Sequence, residues 1–159
     1  MGIQKHVFGT LSAIALATVA VPAIVVDAVA QITAPYVADS GTLDRGQDHF
    51  IDVEAAGGPL DRVKVVCVTF HELDEAKVVD GAGNEIPASI DYGFEEFTIT
   101  FDEALPEGET ARVLMLNSRV RGRLGGLTVP YRVFGTTPVL DGLIPFGTAI
   151  VTVPEVTGR

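Results

Sequence analysis

The stretch from Phe97 to Asn117, FTITFDEALPEGETARVLMLN, constrains the fold most, because it reads as two strands joined by a turn. Phe97, Ile99 and Phe101 alternate with Thr98, Thr100 and Asp102. This period of two places one face of a strand on a core and the other in water. Leu105-Pro106-Glu107-Gly108 supplies the turn, with proline presetting φ and glycine at the fourth position. Thr110 to Leu116 follows as the second strand, so the segment reads as a hairpin. The facing puts Phe97, Ile99 and Phe101 in the core beside Val65 or Val66, Val113 and Met115.

Other short strands recur at about 8 to 12-residue spacing. His49 to Val53 alternates weakly. Arg62 to Phe70, RVKVVCVTF, carries a run of valines that predicts burial on both faces near its middle. Lys77-Val78-Val79 is closed by the turn Asp80 to Asn84 and resumes at Glu85-Ile86. Tyr92-Gly93-Phe94 leads into the Phe97 strand, while His71 to Glu75 reads as a charged loop or a single helical turn. Leu127 to Phe134 contains Pro130, which predicts an edge or bulged strand, and Thr148 to Val153 is the last strand. About seven strands without a helix in the mature chain predict an all-β fold, an immunoglobulin-like antiparallel sandwich over residues 49–159. Residues 31–48 are polar and turn-rich, an extended lead-in with at most one edge strand.

Residues 1–30 have the layout of a secretory signal. Lys5 and His6 precede the uncharged, mostly apolar run Val7 to Val26, and Ala28-Val29-Ala30 offers a cleavage site before Gln31. The rival reading is an uncleaved anchor helix, since the run is long enough to span a bilayer. Either way the body is exported to the periplasm, cell envelope or exterior. Removal of the segment leaves about 130 residues, enough for a core without staples.

The net charge of -10 falls entirely on that body, because Lys5 and Asp27 cancel in the leader. Such a surface repels phosphate backbones and anionic headgroups, which argues against nucleic acid as a partner and against membrane contact except through an uncleaved N-terminal segment. Cys67 is the one cysteine, so no internal disulfide forms, and its apolar neighbours read as those of a buried thiol.

Several of these segments together resemble one family. They are PLDRVKVV (Pro59 to Val66), FTITFDEALPEGETARVLMLNSRVR (Phe97 to Arg121), GGLTVPYRVFGTTP (Gly125 to Pro138) and the glycine-bearing final strand. Their order and spacing are similar to those of the exported cyanobacterial proteins grouped as domain of unknown function 2808. The resemblance departs at HFIDV, at HELDEAKVVDGAG and in the last strand, where Ile150-Val151-Thr152-Val153 replaces an aromatic ending. It implies an exported, non-catalytic sandwich. It carries over no catalytic residue.

Few residue constellations point to chemistry. His71-Glu72-Leu73-Asp74-Glu75 misses the H-E-x-x-H zinc-protease pattern, with Glu75 where the second histidine belongs. His49, Cys67 and His71 would form a soft copper or zinc site if the fold brought them together. Asp39, Asp44, Asp48 and the Asp80/Asn84 loop offer oxygen ligands but lack calcium-loop spacing and read as turn formers. Ser40, Ser89 and Ser118 sit outside any nucleophile-elbow motif. Arg119, Arg121 and Arg123 alternate, so in an extended loop their guanidinium groups would share a side and grip an anionic component or an acidic partner surface.

The sequence therefore predicts an exported, non-enzymatic binding or structural module that needs no cofactor and meets an envelope component or protein partner. The alternatives are a periplasmic metal-handling domain, which requires His49, Cys67 and His71 to converge, and an enzyme whose site is assembled from loops.

Overall fold

In the strands that build the core, buried positions alternate with more exposed ones over most of their length, because these strands pack one face inward and leave the other to solvent. The structure, a computed structural model, describes residues 33–68, 71–120 and 126–155. The secretory signal expected over residues 1–30, with a helix over its apolar run Val7 to Val26, lies outside them. In chain order the strands are β1 (Tyr36–Leu43), β2 (Asp48–Glu54), β3 (Leu60–Cys67), β4 (His71–Glu72), β5 (Glu75–Val79), β6 (Ala88–Tyr92), β7 (Glu96–Leu105), β8 (Thr110–Leu116), β9 (Arg119–Val120), β10 (Leu127–Thr137) and β11 (Leu140–Val153). They form a four-stranded sheet, β1-β2-β8-β5, a five-stranded sheet, β11-β10-β3-β7-β6, and the small ribbon β4-β9. Every pairing is antiparallel, and the two larger sheets make an immunoglobulin-like β-sandwich. Ile51, Val53, Val113 and Met115 of the first sheet share one core with Val63, Val65, Phe97, Ile99, Phe101, Val129 and Val133 of the second.

The facing read from Phe97, Ile99 and Phe101 is therefore correct, but the hairpin is not. β7 pairs with β3 and β6, whereas β8 pairs with β2 and β5. The two strands lie in opposite sheets, so their apolar faces meet across the core instead of side by side. The turn itself is held by the end of β2: Gly108 N–H donates to Ala55 O at 2.6 Å and Ala55 N–H to Glu109 O at 2.9 Å. With Leu105 buried at the crossing, the chain is drawn over the sandwich rim.

Three further expectations are corrected. β3 is buried on one face only, since Val63, Val65 and Cys67 point inward while Arg62, Lys64 and Val66 lie on the more exposed face. β10 is an interior strand despite Pro130, pairing with both β11 and β3. Pro130 falls just beyond the last β3 pair, Tyr131 with Cys67, where its missing N–H interrupts little of the ladder and its carbonyl still accepts from Val68 N–H at 3.3 Å. The bulged alternative does hold, but away from the proline: β10 shifts register between Val133 and Phe134 and between Gly135 and Thr137. Finally, His71 to Glu75 is loop only at Leu73 and Asp74: His71 and Glu72 pair with Val120 and Arg119, and Glu75 opens β5. The lead-in contributes a whole edge strand, β1.

An open sheet edge invites unwanted pairing, and most edges here are blunted. Where β1 meets β11, the Ser40 hydroxyl accepts from Ile150 N–H and donates to Ile150 O, both at 3.2 Å. Along β5, Ile86 N–H bonds Val78 O at 2.9 Å and the Tyr92 hydroxyl accepts from Ala76 N–H at 2.8 Å. The outer side of β6 has no strand beside it among the described residues.

One glycine in β10 is fixed by packing. A Cβ at Gly135 would lie 2.3 Å from the Arg62 carbonyl oxygen and 2.3 Å from the Phe146 ring, which lies over the glycine. Gly135→Ala should therefore lower the unfolding free energy by about 2 kcal/mol through overpacking against backbone. Urea unfolding checks this, and a wild-type midpoint would show that the Phe146 ring is free to move aside.

Candidate functional site at one end of the sandwich

β3 ends and β7 begins at the same end of the second sheet, and the residues around that junction enclose a cleft of about 360 Å³. Its floor is apolar and aromatic: Val65, Cys67, Phe97 and Tyr131. The alternation that sends Val65, Cys67 and Phe97 inward along their strands also brings them to this end. One wall is the β6–β7 turn. Gly93 N–H bonds Glu96 O and Cys67 N–H bonds Glu95 O, each at 2.9 Å. Glu95 adopts a left-handed backbone, φ 58°, and Phe94 stands at the tip, 81% exposed. Tyr92 closes the side, its hydroxyl reaching from β6 to the Ala76 amide in the opposite sheet and its ring centroid 6.2 Å from that of Phe97.

The other wall is Glu72, Leu73 and Asp74, carried between β4 and β5. Asp74 is tethered by its own N–H to Leu116 O at 3.0 Å and by the Asn117 side-chain amide, which donates to its carboxylate at 2.9 Å. Four acidic residues thus line the cleft, Glu72, Asp74, Glu95 and Glu96. Lys64 offsets one of them, 2.8 Å from Glu96, and Arg119 lies 4.0 Å from Asp74 at the rim. The arrangement is an acidic mouth over an aromatic floor. It suits a cation on an apolar stem, because the stem is desolvated against the rings while the charge stays among carboxylates.

Behind the floor, His49 Nδ1 and the Tyr131 hydroxyl are 2.6 Å apart and both side chains are buried. Burial lowers the His49 pKa to about 4, against a smaller opposing pull from Asp48, and raises that of Tyr131 well above its usual value. At neutral pH the pair is an uncharged imidazole and a protonated phenol.

A second cavity, about 310 Å³, lies over Asp80 to Gly83, Asp52 and Arg112. Its polar groups are engaged locally. Asp80 accepts from the Ala82 and Asn84 amides at 2.8 and 2.9 Å and from the Asn84 side chain at 2.9 Å. Arg112 forks onto Asp52 with two contacts of 2.7 Å and lies 4.4 Å from the Phe50 ring centre.

The residues singled out in the sequence are only partly assembled. His49 contacts the Tyr131 hydroxyl, and Cys67 is the β-ladder partner of that same tyrosine, so two of the three candidate metal ligands neighbour one residue. His71 has its backbone in β4, and its side chain lies outside the described residues. Among the described residues, no group of three or more His, Cys, Asp or Glu side chains is placed to hold a metal ion. Arg119 is exposed and leans toward Asp74, while Arg121 and Arg123 lie outside the described residues. Sequence reasoning missed Tyr92, Glu95, Glu96 and Tyr131. The one local signal was the pair of glutamates entering an apolar strand.

No family model matches the sequence, and no curated protein matches it. Among solved structures the chain is similar to BcpA*(D312A), the major pilin subunit of Bacillus cereus, with a TM-score of 0.49 and 12% identity over 76% of this chain and 40% of that one. It is also similar to the collagen-binding domain of a Staphylococcus aureus adhesin, with a TM-score of 0.44 and 8% identity over 76% of this chain and 97% of that domain. A third similarity is to ACE19, the collagen-binding subdomain of the Enterococcus faecalis surface protein ACE, with a TM-score of 0.42 and 10% identity over 71% and 92% of the two chains. The chain spans about two fifths of the pilin it matches.

Proposed function

We propose that this protein is an exported, non-enzymatic binding module of the periplasm or cell envelope, and that it holds a cationic group of its partner in the cleft at the end of the sandwich. The observation that carries this reading is the union of Glu72, Asp74, Glu95 and Glu96 with the floor formed by Phe97 and Tyr131. A volume of about 360 Å³ admits a lysine or arginine side chain, not a folded domain. The local chemistry favours holding over turnover, since Tyr131 keeps its proton, His49 stays neutral and the Cys67 thiol is buried. Export rests on the leader read from residues 1–30. Kinship with domain of unknown function 2808 belongs to the same proposal. Its segments supply β10, β3 and β7, which are neighbours in the five-stranded sheet, and β8 of the four-stranded one.

The test is a pull-down from envelope extract with three baits: the wild-type body, a Glu72→Gln/Glu95→Gln variant and a variant with Arg119, Arg121 and Arg123 all changed to glutamine. The acid variant should lose the partners that the arginine variant keeps, and capture should weaken between low and physiological salt, as expected for a solvent-reachable charge contact. Loss with the arginine variant alone would move the site to the basic loop and an anionic ligand. Retention by both would overturn the proposal.

A further inference from the structure

The cleft opens at one end of β6, and β6 is also the edge of the five-stranded sheet. Its hydrogen-bond phase is fixed at both ends: Asp102 N–H bonds Pro87 O at 3.1 Å, and Gly93 N–H bonds Glu96 O at 2.9 Å. Residues 87, 89, 91 and 93 therefore turn their backbone groups toward β7. Antiparallel alternation sends those of Ala88, Ile90 and Tyr92 outward, away from the sheet. Three outward residues at a period of two make a template for one short added strand. Tyr92, the last of them, is itself a wall of the cleft, so a strand laid along β6 passes the acidic mouth.

Building on the cleft reading, we infer that β6 and the cleft form one continuous docking site for an extended, basic segment of a partner protein, which pairs with β6 and places a lysine or arginine among the cleft carboxylates. Charge selects this occupant. Exposed Glu85 and Asp91 flank the edge and four acidic residues line the cleft, on a body carrying -10. A second copy of the chain would bring two such acidic bodies edge to edge, so self-pairing is opposed.

The phase also supplies a clean variant. Because the Ile90 N–H points away from β7, Ile90→Pro removes no bond of the native sheet, yet its ring occupies the space where a partner carbonyl must sit. The probe is a terminally blocked seven-residue peptide alternating lysine and valine, with a glutamate-valine version as control. On adding the lysine peptide to the wild-type body, amide exchange should slow at Ala88, Ile90 and Tyr92 and not at Ser89 or Asp91. Ile90→Pro and Glu72→Gln/Glu95→Gln should each weaken binding at least tenfold, and the glutamate peptide should not bind. Unslowed exchange at the three outward amides, or full binding by a folded Ile90→Pro variant, would overturn strand addition. If the acid variant alone then loses binding, the cleft reading survives. Absence of binding by the lysine peptide, or equal binding of the glutamate peptide, would remove both. Should Ile90→Pro fail to fold, the exchange pattern of the wild type decides.

Discussion

Replacing Phe101 by alanine is expected to lower the unfolding free energy by about 3–5 kcal/mol, the cost of losing a buried aromatic and leaving a cavity. Phe101 is 6% exposed and projects from β7 into the core that β7 shares with β8 across the sandwich. That core joins two sheets by side-chain packing, so the cavity cannot be closed by one strand shifting in its ladder. The loss is a large share of the roughly 5–15 kcal/mol that holds a domain together. Thr100→Ala, on the outer face of the same strand, should move the urea midpoint little. Equal effects of the two substitutions would mean that the facing of β7 is wrong.

Stability should also fall by about 3 kcal/mol as the pH drops from 6.5 to 4, through His49 alone. The ring is 1% exposed, and its folded-state pKa lies at about 4, against 6.5 for a free histidine. Between these values the unfolded chain takes up a proton that the folded protein refuses, so unfolding gains free energy as pH falls. The contribution is complete above 6.5 and exhausted near 4, at about 1.4 kcal/mol per unit of displacement. A His49→Gln variant provides the comparison: whatever its absolute stability, its urea midpoint should vary less across this window than that of the wild type. Parallel curves for the two proteins would place an ordinary, titrating imidazole at position 49.

The inward faces of β7 and β8 were legible in the sequence because a period of two reports burial directly. What the period does not report is whether the next strand lies beside its predecessor or across the core from it. Phe97 to Leu116 shows the difference: identical alternation serves a hairpin or a crossing, and the choice is made by the Ala55–Gly108 bond between distant segments. Pro130 misled for a similar reason, since its cost depends on whether a β3 residue faces its nitrogen. Ala88 to Tyr92 escaped notice as a strand because its burial is marginal throughout, with no residue of β6 fully enclosed.

The cleft was illegible for a different reason. Its walls come from Glu72 to Asp74 and Tyr92 to Glu96, and its floor takes Cys67 from β3 and Tyr131 from β10. No two of those segments form a motif. The sequence drew attention instead to Arg119, Arg121 and Arg123, the densest positive charge on an acidic chain. Arg119 proves to lean over the rim of a pocket of the opposite sign.

The most direct measurement of that pocket is a titration of the isotope-labelled body with N-acetyl-lysine N-methylamide, followed by amide and aromatic NMR shifts at low salt. Saturable shifts should appear first at Tyr92, Glu95, Phe97 and Leu73, and N-acetyl-glutamate N-methylamide should leave those signals in place. Shifts confined to the neighbourhood of Arg119, or produced equally by both probes, would contradict a cation-holding cleft.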